Sequence, residues 1–175
     1  MRMVSKSCNK SPYGSTDRGV LQAIGLAVVN FSQLEETLVL GVRFLIVGTL
    51  DDEAADLTVR KLSFRDLVEA LAGLYRHRFP DDDFGDLKEV CLVLDKLNNE
   101  RNHLFHSSWS SGKAANQLRR YKAAVRRGGP KIWDQNVSEG DVLRFAEGTD
   151  QALGRLVGFL MESIVPRIDD VVAHV

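Results

Sequence analysis

One stretch of this chain gathers the residue types of phosphate and proton chemistry: Leu97-Asn98-Asn99-Glu100-Arg101-Asn102-His103-Leu104-Phe105-His106. Arg offers a planar, permanently charged fork that fits a phosphate, and His exchanges protons near neutral pH. RNA carries its own nucleophile, the 2′-hydroxyl. A protein that supplies a base, an acid and a cation for the pentacovalent phosphorus therefore has sufficient parts to cleave it. Arg101 is the candidate cation and His106 the candidate acid or base. Asn102 precedes His106 by four residues, one helical turn, and could orient it. One His cannot easily be both acid and base at once.

Each residue also has a purely architectural reading. Arg101 falls among apolar positions, as does Glu35 in an earlier helix, so the two could form a buried ion pair. His106 could be a histidine at a helix C-terminus, attracted by the last carbonyls. Asn102 could satisfy backbone groups there. His103 and His106 share a helical face and could chelate a metal, but Glu100 is the only carboxylate close by in sequence, so no metal site is expected. His103 and Asn99 read better as supporting or RNA-contacting groups. His77 and His174 have no catalytic constellation around them. The chain has no G-x-S-x-G elbow, no phosphate-cradling glycine loop and no zinc spacing.

The pattern Arg101-Asn102-x-x-x-His106, with Leu97 and Asn98 before it and Trp109 after it, resembles the motif of the HEPN superfamily. The resemblance rests chiefly on residues 97 to 109, with weaker support from the helix order across residues 18 to 165. It implies a helical bundle that pairs across a two-fold axis, so that a second chain supplies the second His. It further implies metal-independent endoribonuclease activity without a cofactor, in toxin, phage-defence or RNA-processing settings, with a neutralising protein as a further partner. Arg101, Asn102 and His106 match the motif position by position. The alternative is a non-catalytic helical interaction or RNA-binding module on the same scaffold.

The elements that must hold these residues can be read from periodicity. A first helix is expected from about Asp17 to Val47, with Phe31, Leu34, Leu38, Val42 and Leu45 on one face. Ser63 and Asp66 form the capping box of a second, in which Leu62 can staple against Leu67 and Pro80 ends the run. A third, from about Phe84 to Ser107, carries the motif. On it Asn99, Asn102, His103 and His106 share a polar arc, while Arg101 belongs with Val90, Val93, Leu97 and Leu104. Between Gln117 and Val137 the helical period fails, and Gly128-Gly129-Pro130 separates two short runs, as in a basic β-hairpin or loop. A last helix begins at Ser138, with Asp141 completing its capping box, and Pro166 marks its end. The expected fold is all-α: an antiparallel bundle of four to five helices, with one hairpin or loop excursion before the last helix.

A chain of 175 residues suits one domain that buries about 70% of its unfolded surface. Residues 1–17 lack an apolar core and read as a loose leader, leaving 18–175 as the domain. Cys8 and Cys91 are too few for a disulfide framework and suggest reduced thiols in a cytoplasmic protein. The run Thr37 to Leu50 is interrupted by Arg43, so no membrane span is expected. The formal net charge of −1 hides an uneven distribution. Asp51, Asp52, Glu53 and Asp56 form one acidic patch and Asp81, Asp82, Asp83 and Asp86 another, whereas Lys113 to Lys131 holds no acid. In that segment Arg119, Arg120, Lys122, Arg126, Arg127 and Lys131 are candidate RNA phosphate contacts, and the interleaved Tyr121 and Trp133 could stack on bases. A solvated basic loop is the plainer reading.

Overall fold

Two capping boxes set where helices begin. Ser63 Oγ accepts the Asp66 N–H while the Asp66 carboxylate accepts the Ser63 N–H, and Ser138 and Asp141 repeat the exchange. Each cap contributes about 1 kcal/mol by satisfying amide groups that a helix start leaves unpaired. The computed structural model describes residues 18–47, 53–111, 117–126 and 129–167. The leader, Cys8, Asp51, Asp52, Lys113, Arg127 and His174 lie outside the described residues, as do the side chains of Arg126 and Lys131.

The protein is mostly helical with a small three-stranded antiparallel sheet. Its helices are α1 (Arg18–Val47), α2 (Glu53–Val59), α3 (Phe64–Arg78), α4 (Gly85–Phe105) and α5 (Glu139–Phe159). The strands β1 (Ser108–Ser111), β2 (Gln117–Arg126) and β3 (Gly129–Ser138) lie between α4 and α5. The stripe Phe31, Leu34, Leu38, Val42 and Leu45 is buried, as its three-and-four spacing requires. By length and composition α1 could cross a membrane, but this stripe packs inside the protein against α3 and α5. Cys91 is a free, half-buried thiol whose pKa burial pushes up.

Periodicity did not reveal α2. It has seven residues and one buried side chain, Val59, so it presents no apolar stripe. Ion pairs hold it instead. The buried Arg43 of α1 meets Asp56 at 2.7 Å, and Arg60, just past α2, bonds both Asp56 at 2.8 Å and Glu36 at 2.6 Å. Asp56→Ala is expected to cost about 1–3 kcal/mol by weakening the support of a buried guanidinium. Glu36→Ala, at the exposed end of the cluster, should stay within about 1 kcal/mol of wild type. Urea denaturation of the two variants checks the contrast, and equal losses would count against it.

This short helix reverses the chain and so decides the direction of everything after it. Asn30 of α1 donates to the Ala146 carbonyl of α5 at 3.0 Å, with Gly19 set against Glu139 and Gly41 against Leu160. Residue numbers rise together along both helices, so α1 and α5 are parallel. Phe31 against Phe64, and Ile46 against Arg78, give the same result for α1 and α3. Of the long helices only α4 runs the other way, with Phe84, at its start, against Tyr75 and Phe105, at its end, against Phe31. A four-helix alternation is therefore corrected: neighbours in sequence alternate only when α2 is counted.

Two boundaries depart from expectation, and the hairpin turn between them does not. α4 stops at Phe105 because Ser108 enters β1, a strand too short to show a period of two. Gly129 takes φ +104° where the hairpin turns, a conformation open to glycine. The chain stays helical past Pro166 to Arg167, following a π-turn over Leu160–Ile164 in which the Val165 N–H reaches the Leu160 carbonyl. Proline lacks the N–H and crowds the carbonyl four residues back, and a widened turn just before it relieves that crowding.

Candidate functional site

The apolar seam of α4 runs Leu87, Val90, Leu94, Leu97 and Leu104, all buried, and Arg101 occupies the next position of the same three-and-four series. Its guanidinium therefore turns inward. The guanidinium carbon lies 5.1 Å from the ring centre of Phe31 and 5.9 Å from that of Phe105, in a cluster of rings that includes Phe64 and Phe145. Nη1 donates to Asn102 Oδ1 at 3.4 Å, and Asn102 Nδ2 donates to Asn98 Oδ1 at 3.4 Å.

The expected partnership with Glu35 is corrected. Among the described residues Arg101 makes no ion pair, and Glu35 lines a separate groove beside Glu36 and Arg60. Phe31 is four residues before Glu35, one turn nearer the sheet end of α1, and its ring takes the cation in place of the carboxylate.

The polar arc of α4 divides by position. Asn99 turns back to its own helix, its Nδ2 donating to the Asp95 carbonyl at 3.0 Å, so it supports no other motif residue. His103 is half-buried and meets the Trp133 ring edge-on at 5.3 Å. His106 is exposed at the C-terminal cap of α4. No described contact joins His106 to Arg101 within one chain, and their directions around the helix differ by about 140°.

The last turn of α4 is held by side chains. Lys122 of β2 donates from Nζ to the Asn102 carbonyl at 2.8 Å, and Ser107 Oγ donates to the His103 carbonyl at 2.5 Å. These carbonyls would otherwise end the helix unpaired. Lys122 is thus committed to protein. Its part in the site is to fix the turn carrying Asn102 and His103, a role distinct from the phosphate contact expected of it.

The other described cations of the basic segment are divided between the two faces of the sheet. Leu118, Arg120 and Lys122 pair across the strands with Val137, Gln135 and Trp133, and the buried Leu118 and Val137 mark this face as inward. Arg119 faces outward and bonds Asp134 through Nε at 2.7 Å and through Nη2. Tyr121 stands opposite Asp134 on that outer face, so Tyr121 and Trp133 lie on opposite sides and cannot form one stacking surface. The alternation was legible, since residues two apart in a strand share a face and Leu118 names which face is buried.

Between the end of α4, the inner face of the sheet and the start of α5 lies a cleft of about 360 Å³. Its apolar floor includes Leu104 and Phe145, and Glu100, His103, Arg120, Gln135 and Asp141 open onto it. Arg120 donates to Gln135 Oε1, and burial holds its pKa below the usual guanidinium value. Asp141 is bonded to Ser138 and Arg144, which keeps its carboxyl below the usual range. Sequence reading had not joined Glu100 or Gln135 to any site. Among the described residues no three His, Cys, Asp or Glu side chains gather as metal ligands.

No family model, curated protein or solved structure matches this chain.

Proposed function

We propose that the chain is an endoribonuclease of the HEPN type, with a site completed by a second copy. The observation that carries this reading is the placement of His106. Its side chain is exposed at the end of α4, with no hydrogen bond among the described residues, on the same turn as Asn102. A histidine buried in hydrogen bonds could not reach a phosphodiester, whereas this one is open to solvent.

In the reaction the 2′-oxygen attacks phosphorus as its proton passes to a neutral imidazole. The P–O5′ bond breaks, and the departing oxygen takes a proton from a charged imidazole. The products are a 2′,3′-cyclic phosphate and a 5′-hydroxyl. His106 of one chain and His106 of its partner divide the two proton transfers, and Arg101 stabilises the phosphorane charge. Leu21, Val28 and Val29 are exposed along the half of α1 nearest the sheet, an apolar strip that supports pairing of two copies. A neutralising protein partner fits a nuclease that must be restrained in its own cell.

Because RNA supplies the nucleophile, cleavage should persist in excess EDTA and stop when the 2′-hydroxyl at the cut position is replaced by hydrogen. Light scattering of the active species should give about twice the 19.5 kDa chain mass. Activity restored only by added magnesium, or cleavage of the 2′-deoxy substrate, would remove this mechanism.

One observation favours a non-catalytic module. Arg101 turns its guanidinium onto the aromatic cluster, and its Nε is buried without a hydrogen bond, as befits a group that ties α4 to α1. In that reading His106 is an exposed cap residue, and the inner sheet face and cleft serve binding alone.

A further inference from the structure

Arg120 and Glu100 open onto one cleft without pairing. Each is a full charge, yet among the described residues they form no ion pair with each other. Arg120 has one described hydrogen bond, to the neutral amide of Gln135; burial penalises its charge, and the nearby Asp141 carboxylate offsets part of that penalty. Glu100 has no described hydrogen bond or ion pair, whereas the other cleft carboxylate, Asp141, is engaged by Ser138 and Arg144. The cleft thus offers a guanidinium as donor and a carboxylate as acceptor, with no described bond between the two.

The composition of the cleft selects the ligand class. A bare phosphate would meet two carboxylates, and a simple cation would meet Arg120. A neutral planar ring with acceptors on one edge and donors on the next satisfies both, while its faces cover Leu104 and Phe145. Guanine has that pattern: O6 and N7 accept from a bidentate guanidinium, and N1–H and N2–H donate to a carboxylate. Adenine presents its N6 donor beside N7 and an N1 acceptor toward the carboxylate, so both charged groups would face the wrong partner. Cytosine offers the carboxylate only one donor group. At about 360 Å³ the cleft lies near the lower end of ligand sites, the size for one base rather than a dinucleotide.

We infer that the cleft between Glu100, Arg120 and the floor of Leu104 and Phe145 is a guanine-binding subsite. This deepens the ribonuclease reading and rests on it where the guanine belongs to an RNA strand. The cleft is bounded by His103, three residues before His106, so a guanine seated there lies next to the proposed scissile site. The guanine could equally arrive in a free nucleotide.

Trp133, in contact with His103 at the cleft edge, gives a direct readout. The full-length protein is titrated with guanosine, GMP, AMP, CMP and inorganic phosphate, following tryptophan fluorescence and calorimetry. Guanosine and GMP should bind within about threefold of each other, and AMP at least tenfold more weakly, because a seated adenine would cover the Glu100 carboxylate with an acceptor and leave it unpaired. Glu100→Gln, at an exposed position, and Arg120→Lys should each weaken guanosine binding at least tenfold with unchanged melting. Equal binding of AMP, competition by phosphate alone, or no guanosine binding would overturn the proposal. Guanine-selective RNA binding with weak GMP binding would assign the site to the strand, and tight GMP binding would assign it to the free nucleotide. The ribonuclease reading fails separately: cleavage that depends on His106 without guanine preference sinks only the subsite, and guanosine binding by a protein that cuts no RNA sinks only the nuclease.

Discussion

His106→Ala is expected to lower RNA cleavage by about 10²-fold or more, since a positioned acid or base typically contributes roughly 10²–10⁴. The fold should be untouched. His106 is exposed and bonded to nothing among the described residues, while the end of α4 is secured by Lys122 and Ser107. Surface substitutions of this kind usually stay within about 0.5 kcal/mol. The measurement pairs initial cleavage rates with thermal melting at matched protein concentration. Full activity in a variant that melts like wild type would leave the binding module as the better account. In a mixed dimer of wild-type and His106→Ala chains, a loss far beyond the half expected of two independent sites would indicate that the two histidines divide the proton transfers.

Arg101→Lys should lose about 10²–10³-fold in cleavage, the range for removing one preorganised donor to developing negative charge. It keeps the charge but loses the planar fork that can rest on Phe31 and still reach a phosphate. Arg101→Ala should lose at least as much activity. Its stability cost should be modest, about 0.5–2 kcal/mol for the contact with the rings, with the stem's packing added. Removing one partner of a buried ion pair would cost about 3–5 kcal/mol instead. Melting of Arg101→Ala beside Glu35→Ala separates the two. A large loss in both, with no further loss in the double variant, would mean that Glu35 and Arg101 are paired after all. Wild-type activity in Arg101→Lys would remove the fork from the mechanism.

Much of the scaffold was legible because its signals are local. Ser63/Asp66 and Ser138/Asp141 form the capping boxes their spacing implies, and the stripe of α1 is buried where three-and-four spacing places it. Arg101 was legible in the same way, as an intruder in an apolar seam. What was not legible depends on partners far away in sequence. The preference of Arg101 for Phe31 over Glu35 is decided by one turn of α1, and no periodicity ranks a ring against a carboxylate. α2 was hidden because ion pairs to Arg43 and Glu36 hold it rather than an apolar face. Lys122 looked like one cation among many until the register of β2 brought it to the end of α4. The cleft needs α4, two strands and α5 together, so no single segment announces it.

The shared direction of α1 and α5 has an electrical result. Each helix start carries the equivalent of about half a positive charge and each helix end about half a negative one. α1 and α5 begin side by side, where Gly19 meets Glu139, and α4 ends further along both, beside Phe31 and Phe145, where Lys122 meets the Asn102 carbonyl of its last turn. Two positive helix starts therefore stand together there, although Glu139 and Asp141 offset part of the share of α5. A chain of formal net charge −1 is thus polarised along its length. An anion approaching the paired helix starts would feel this field first, and added salt, by screening it, would slow such an encounter before altering any contact.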